Sequence, residues 1–352
     1  MTTFIQLHML TAYAPANLNR DDTGRPKTAI MGGVERLRIS SQSLKRAWRT
    51  SEMFEDALSS HIGVRTRQLG RKVYQQLIAG VIDEKLAMTI SAKIAEQFGS
   101  LKKEKAPKDK LDNIDIEQLV HLSPEENQAV EQLVAILIAE NREPTDGELK
   151  LLRGQAQGVD IALFGRMLAS SPEFNVEAAC QVAHALGVSA VTIEEDFFTA
   201  VDDLNLREND MGSAFMGERG FASALFYSYI CISRDLLLEN LNGDETLVKR
   251  TLKALTETAM KVSPTGNQNS FASRAYANYA LAEIGIQQPR SLAAAFFNPI
   301  RVEDQIVKAI QQLQQQRQRF DDAYGACADK YYEMNMEVGN GTLPELLEFI
   351  AQ

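Results

Sequence analysis

Cysteine is scarce in this chain: Cys180, Cys231 and Cys327 are its three, far apart among 352 residues. That excludes a disulfide framework and a cysteine-built zinc site, and it fits a reducing compartment. Histidine numbers only four, and no Ser–His–Asp or Cys–His spacing supports an activated nucleophile. No run of about 18 apolar residues occurs, so no membrane span is expected. The start, Met1–His8, lacks the charged opening and long apolar core of a signal peptide, which predicts a cytoplasmic location. Basic charge is short overall, 37 Lys and Arg against 47 Asp and Glu, for a net −10. An acidic total suppresses indiscriminate binding to polyanions. What remains, 45% hydrophobic and 24% charged residues, suits one large or two smaller globular domains.

Against that acidic background, one stretch is basic. Between Arg20 and Arg49 stand Arg20, Arg25, Lys27, Arg36, Arg38, Lys45, Arg46 and Arg49, opposed by Asp21, Asp22 and Glu35. A local excess of this kind is the footprint of a polyanion on one face. Its layout is a loop with Gly24, Pro26, Gly32 and Gly33 leading to Ser40, Ser41 and Ser43 at a helix start. Helix N-termini present N–H groups and positive dipole to phosphates. The competing reading is a solvated charged face.

Phe4–Leu10 alternates polar and apolar residues and reads as a first strand. A helix is predicted over 41–58, with the apolar stripe Leu44, Ala47, Trp48, Phe54 and Leu58, and Lys45 and Arg49 paired on a neighbouring face. Helical periodicity dominates 73–98 and 123–140, the second opening on Ser123-Pro124-Glu125-Glu126. Between them the lysine-rich 102–110 reads as a solvated loop or a second basic contact. Val159–Met167 reads as a strand and Glu177–Leu186 as a helix with His184 on its apolar side. Strand pieces are predicted at 190–192 and 197–201, a loop at 202–220, and strands at 221–232, 276–286 and 331–338. Helices fit 234–241, 244–261 and 302–319. The pattern is α+β with a large helical insertion. Gly158–Gly165 is no phosphate-cradling loop, because it lacks the Gly-Lys-Ser/Thr ending.

Several runs share one further property. Leu18-Asn19-Arg20-Asp21-Asp22, Gly32-Gly33 and Arg38–Ala47, then Gly158–Leu163 with Gly165-Arg166-Met167, then Phe198–Leu204, closely resemble the CasC family in the same order. Gly212-Ser213-Ala214, Phe226-Tyr227 and Glu239-Asn240-Leu241 extend the match. These are backbone subunits of type I-E CRISPR Cascade complexes. The resemblance weakens over 60–150 and at the C-terminus. It implies a modified RNA-recognition-motif (ferredoxin-like) palm, a helical fingers insertion and a β-hairpin thumb. The corresponding segments are 1–58 palm, 59–157 fingers (extending to about 181 on another reading), 158–190 palm or fingers, 191–221 thumb and 222–352 palm. It implies no cofactor. Its partners are a guide RNA, the target DNA paired with it, further copies in a head-to-tail oligomer and other Cascade subunits.

The resemblance also implies an RNA-binding set: Arg20, Lys27, Arg38, Ser40, Gln42, Lys45, Arg46, Arg49, Arg166, Met167, Phe197 and Phe198. Arg20, Lys45, Arg46 and Arg49 suit guide phosphates, since a sequence-independent binder must hold the backbone and arginine forks pair with phosphate. The family usually has lysine at the position of Arg49 and often tryptophan at that of Phe197. Lys27, Arg36 and Arg38 are alternatively read as pairing with acids of a neighbouring subunit. Met167, Phe197 and Phe198 read as core by themselves; in the family, an aromatic and a methionine wedge against the RNA, as π-faces serve any base. Asp21, Asp22, Asp202 and Asp203 admit two readings. Paired carboxylates can hold magnesium for phosphodiester cleavage, which would make the chain an endoribonuclease using Asp21 or Asp22; the other reading is loop ordering. A non-catalytic guide-RNA scaffold is the reading preferred here, with a packing protein that touches little RNA as a third class.

Overall fold

A computed structural model describes residues 2–102, 109–153, 158–200 and 215–352. Residues 202–214 of the expected 202–220 loop, with Asp202 and Asp203, and residues 103–108 of the lysine-rich segment lie outside these, whereas 215–220 are strand and not loop. The chain forms two compact units, one of Met1–Phe54, Gln181–Ser233 and Leu252–Gln352, the other of Glu55–Cys180 and Arg234–Thr251.

The first unit is built on an antiparallel sheet. Its strands are β1 (Phe4–Ala16), β2 (Thr28–Met31), β3 (Val34–Ile39), β7 (Ala185–Gly187), β8 (Glu194–Ala200), β9 (Phe215–Ser233), β10 (Tyr279–Gly285) and β11 (Lys330–Asn335). They run in the order β11-β10-β1-β9-β7-β3-β2, with β8 paired to β9 as a hairpin arm. The central strand β1 is longer than its alternation predicts, and both of its faces are buried. Ile5, Leu7 and Met9 fill one face. Gln6, His8 and Leu10 fill the other, where Leu10, Tyr227, Tyr279 and Leu281 meet Leu313 and Ile310 of α10 (Gln305–Tyr324).

Polar residues on that second face are buried because each finds a partner. The Tyr229 hydroxyl donates to Gln6 Oε1 at 2.8 Å, and His8 lies 2.9 Å from the Tyr227 hydroxyl and 3.2 Å from Glu283. Arg290 and Arg317 also donate to Glu283. Burial by itself would raise the Glu283 carboxyl, yet the bonds from His8 and Arg290 outweigh it and hold the carboxyl far below the carboxylate range. His8 is pushed down, mainly by burial, against the pull of Glu283. A neutral His8 fits the geometry: Tyr227 O–H donates to Nδ1 while its oxygen accepts from Leu292 N–H, and Nε2–H donates to Glu283.

Helix α1 (Ser41–Arg49) buries Leu44, Ala47 and Trp48, as its stripe predicts. The predicted 41–58 helix breaks at Thr50–Ser51, after which α2 (Glu52–Leu58) follows; Ser51 Oγ donates to Trp48 O and accepts from Phe54 N–H. α9 (Gln268–Phe271) and α11 (Leu343–Ile350) complete this unit's helices, and α8 (Glu245–Lys261) enters it at Leu252.

The second unit is mainly helical. Its core joins α3 (Leu69–Ala79), α4 (Glu84–Glu96) and α5 (Pro124–Glu140) through Val73, Leu77, Ile90, Ile94, Val134 and Leu137. The single helix expected over 73–98 is two, because Gly80 ends α3, Val81 takes φ +65° and Asp83 caps α4. Strands β4 (Val64–Thr66) and β5 (Val120–Leu122) pair, and α7 (Arg234–Asn240) closes the set. Val159–Met167 is not a strand: residues Val159–Phe164 form helix α6, ended by Gly165 at φ +79°. The predicted 177–186 helix is also overturned, by β6 (Cys180–Val182), which spans the passage between units, and by β7. Backbone pairing to β9 overrides the helix propensity of that alanine-rich stretch. The three cysteines are buried. No helix among the described residues is long and apolar enough to cross a membrane.

Candidate nucleic-acid interface

The basic stretch folds into one knot at the edge of the sheet. Lys27 N–H donates to Asn19 O, Arg38 N–H donates to Lys27 O, and Ser40 N–H donates to the Asn19 side chain, at 2.8, 2.8 and 2.9 Å. Arg20 bridges to Pro26. These bonds bring Arg20, Lys27 and Arg38 beside the start of α1. Asn17, fully buried, donates to Gly24 O at 3.0 Å and Gly220 O at 2.9 Å, fastening the loop to itself and to β9. Arg25 pairs with Glu195 of β8 at 3.2 Å.

Electrostatics mark this patch as positive. His184, expected in the core, is exposed and its Nδ1 accepts from Arg38 Nη1 at 3.0 Å. Burial, then the charges of Arg38 and Lys27, push its pKa down and keep it neutral. Sequence reasoning missed Asn17, Asn19 and His184; only the adjacency of Asn19 to Arg20 hinted at them.

On α1, Arg46 is exposed and Lys45 and Arg49 are half-buried, and among the described residues Arg20 and Arg46 have no ion pair. Gln42 is exposed. Ser40 is only 7% exposed, and its hydroxyl accepts from Ser43 N–H as the N-cap, so that oxygen serves its own helix. Arg36 does not face a neighbour: wholly buried, its guanidinium donates to the carbonyls of Gly187, Phe296 and Phe297.

Arg166 requires a correction. Its side chain is buried, paired with Glu126 at 2.6 Å, and donates to the carbonyls of His121, Arg153 and Phe174. Such a guanidinium cannot reach RNA without dismantling its own loop. Met167, next in sequence, is 83% exposed, between Arg166, bridged to Val176, and Leu168, whose N–H donates to Asn175. Phe197 and Phe198 occupy opposite faces of β8, opposite Glu218 and Gly217. Phe197 is 60% exposed; Phe198 is half-buried with the Arg219 guanidinium 5.2 Å from its ring centre. Neither phenylalanine belongs to the apolar core.

Asp21 orders its loop. One oxygen accepts from Thr23 N–H, Thr23 Oγ1 and Arg25 N–H, and these bonds, led by the Thr23 hydroxyl, hold its carboxyl below the usual range. Among the described residues no cluster of three or more His, Cys, Asp or Glu side chains is arranged to hold a metal ion.

Residues 5–343 match the model of the family described as CT1975-like protein. Among solved structures, a chain of a "CRISPR RNA-guided surveillance complex, pre-nicking" is 29% identical, with TM-score 0.85 over 99% of both chains. A chain of another "CRISPR RNA-guided surveillance complex", 22% identical over 99% of both chains with TM-score 0.74, shares the fold. Among curated proteins, none matches by sequence.

Proposed function

The chain belongs to the CT1975-like protein family, and from that premise we propose that it is a guide-RNA-binding backbone subunit of a type I-E CRISPR Cascade complex. Copies line up head to tail along one guide and present it for pairing with target DNA. The observation that carries this is the basic knot, in which Arg20, Lys27 and Arg38 are gathered by backbone bonds beside α1 with Lys45, Arg46 and Arg49. Contacts of that kind hold phosphates and leave base edges readable, as guided recognition requires.

The sheet-bearing unit serves as palm, a modified RNA-recognition motif in which β1 lies between β9 and β10; the helical unit serves as fingers, and the β8–β9 arm as thumb. Head-to-tail growth needs two different complementary patches on each copy. The role is non-catalytic: the Asp21 carboxylate is committed to its own turn.

The assembly purified with its other subunits should carry RNA, visible as a raised 260/280 nm absorbance ratio and recoverable as one set of guides on sequencing. An RNA-free assembly, or cleavage of complementary RNA in magnesium by the isolated chain, would overturn the proposal.

A further inference from the structure

Beyond the basic knot, the sheet-bearing unit holds an open groove of about 1020 Å³ between the C-terminal half of α1 and the segment 261–278. Its size follows from its lining. Ala12, Ala47 and Ala275 border it without filling it, and Thr50, Ser263 and Gln268 supply hydroxyl and amide groups. A volume of this order exceeds what most small organic ligands need.

The aromatic at its edge is held outward by its neighbours. Ala275 N–H donates to Ser263 Oγ and Ala277 N–H to Met260 O, both at 2.9 Å, so the backbone on each side of Tyr276 is fastened. Tyr276 itself is 65% exposed. Arg274, two residues before and also in the lining, is exposed, and Arg46 stands outside the lining, one turn before its Thr50 on α1; neither has an ion pair among the described residues. Lys261, also in the lining, is paired with Glu257, and Glu52 is the lining's one acid.

The segment that borders the groove touches the loop that carries Arg20. Gly266, inside the 261–278 segment, packs so closely on the Leu18 carbonyl that a Cβ there would lie 2.2 Å from its oxygen. Further on, Ser270 accepts from Arg219 of β9 at 2.8 Å.

We propose that this groove is a nucleotide site for single-stranded RNA, with Tyr276 stacking on a base and Arg46 and Arg274 holding the adjoining phosphates. A fixed aromatic face beside unpaired cations is the arrangement that binds single strands without choosing sequence. The proposal rests on the RNA-binding reading above and adds a second contact region to it.

The test is binding of a fluorescent 20-nucleotide RNA of mixed sequence by the full chain, with a 4-thiouridine version for photocrosslinking and peptide mapping. Tyr276→Phe should bind as the parent does. Tyr276→Ala should weaken binding about 5- to 150-fold, the equivalent of about 1–3 kcal/mol of stacking, with an unchanged melting temperature. Arg274→Ala should flatten the slope of log affinity against log salt by about 0.7. Crosslinks should map to the peptide holding Tyr276. Unweakened binding by Tyr276→Ala with no crosslink there overturns the site while leaving the basic knot intact. Loss of self-association by Tyr276→Ala with RNA affinity retained assigns the groove to a protein partner and also overturns it. A parent chain that binds no RNA overturns this site and the functional reading together. Should Tyr276→Ala fail to fold, the crosslink on the parent chain decides.

Discussion

The side-chain amide of Asn17 donates to the Gly220 carbonyl at 2.9 Å, and through it the arginine-bearing loop is tied to the base of the β8–β9 arm. The same nitrogen donates to Gly24 O, while Asn17 Oδ1 is buried without a partner. One side chain thus couples two segments distant in sequence, each carrying proposed RNA contacts. Asn17→Ala leaves two carbonyls short of a donor and should cost about 1–3 kcal/mol, measured by urea unfolding. RNA affinity should fall as well, although residue 17 contacts no phosphate. An unchanged midpoint with unchanged affinity would show that the coupling does not matter.

The quadruple variant Arg20→Ala, Lys45→Ala, Arg46→Ala and Arg49→Ala should lose the phosphate term. For single strands each lost contact removes about 0.7 from the slope of log affinity against log salt. The loss should be the same for unrelated guide sequences. An unaltered slope would remove these residues from the interface.

Phe197 and Phe198 should part company. Phe197→Ala removes an exposed ring and should leave the melting temperature unchanged while weakening RNA-dependent assembly. Phe198→Ala also strips Arg219 of its aromatic partner, a contact worth about 0.5–1 kcal/mol at an exposed site, so its melting temperature should drop slightly. Equal behaviour of the two would contradict their placement on opposite faces.

Arg166→Ala should destabilise the helical unit by about 3–5 kcal/mol, because Glu126 is left buried and unpaired. A soluble, fully stable Arg166→Ala protein with poor RNA binding would instead return Arg166 to the interface.

Acid should weaken the sheet-bearing unit in two steps. Burial holds His8 below its ordinary 6.5, so the unfolded chain takes up that proton first and stability falls as pH drops through 6.5. The slope approaches about 1.4 kcal/mol per pH unit until the folded His8 also protonates. Glu283, held low against its burial by the bonds and charges of His8 and Arg290, adds a loss below its unfolded value of 4.5. His8→Gln should shrink the first step, between pH 6.5 and 5, to the part left by His184, and should also reduce the second, because His8 helps to hold Glu283 low. Melting temperatures across that range decide it.

Much of this was legible where chemistry is local. The stripe Leu44, Ala47, Trp48 fixes the buried side of α1, and Ser123 with Glu126 forms the capping box that opens α5. Short apolar runs were not legible: Val159–Phe164 suits a strand or a buried helix turn, and periodicity cannot separate them. The alternation Gln6, His8, Leu10 signals a strand but predicts water on its polar side, whereas Tyr227, Tyr229, Glu283 and Arg290 occupy that side. Those partners lie more than 200 positions away. Likewise the charge of Arg20–Arg49 was plain, but not which cations stay outside: Arg36, like Arg166 further along the chain, turns inward to carbonyls that no local pattern reveals.

The position of β1 in the sheet sets a timetable for synthesis. Leu7 pairs with Ile230 on one side and Ala282 on the other, so β1 leaves the ribosome more than 200 residues ahead of either neighbour. At about 5–20 residues per second, it waits on the order of tens of seconds as an unpaired edge carrying Ile5, Leu7 and Met9. Pairings so distant along the chain form slowly. The helical unit's segment 55–180 emerges in the interval with its three core helices already in it. A nascent chain stalled before residue 230 therefore holds a near-complete helical core beside an apolar strand open to chaperones and to aggregation.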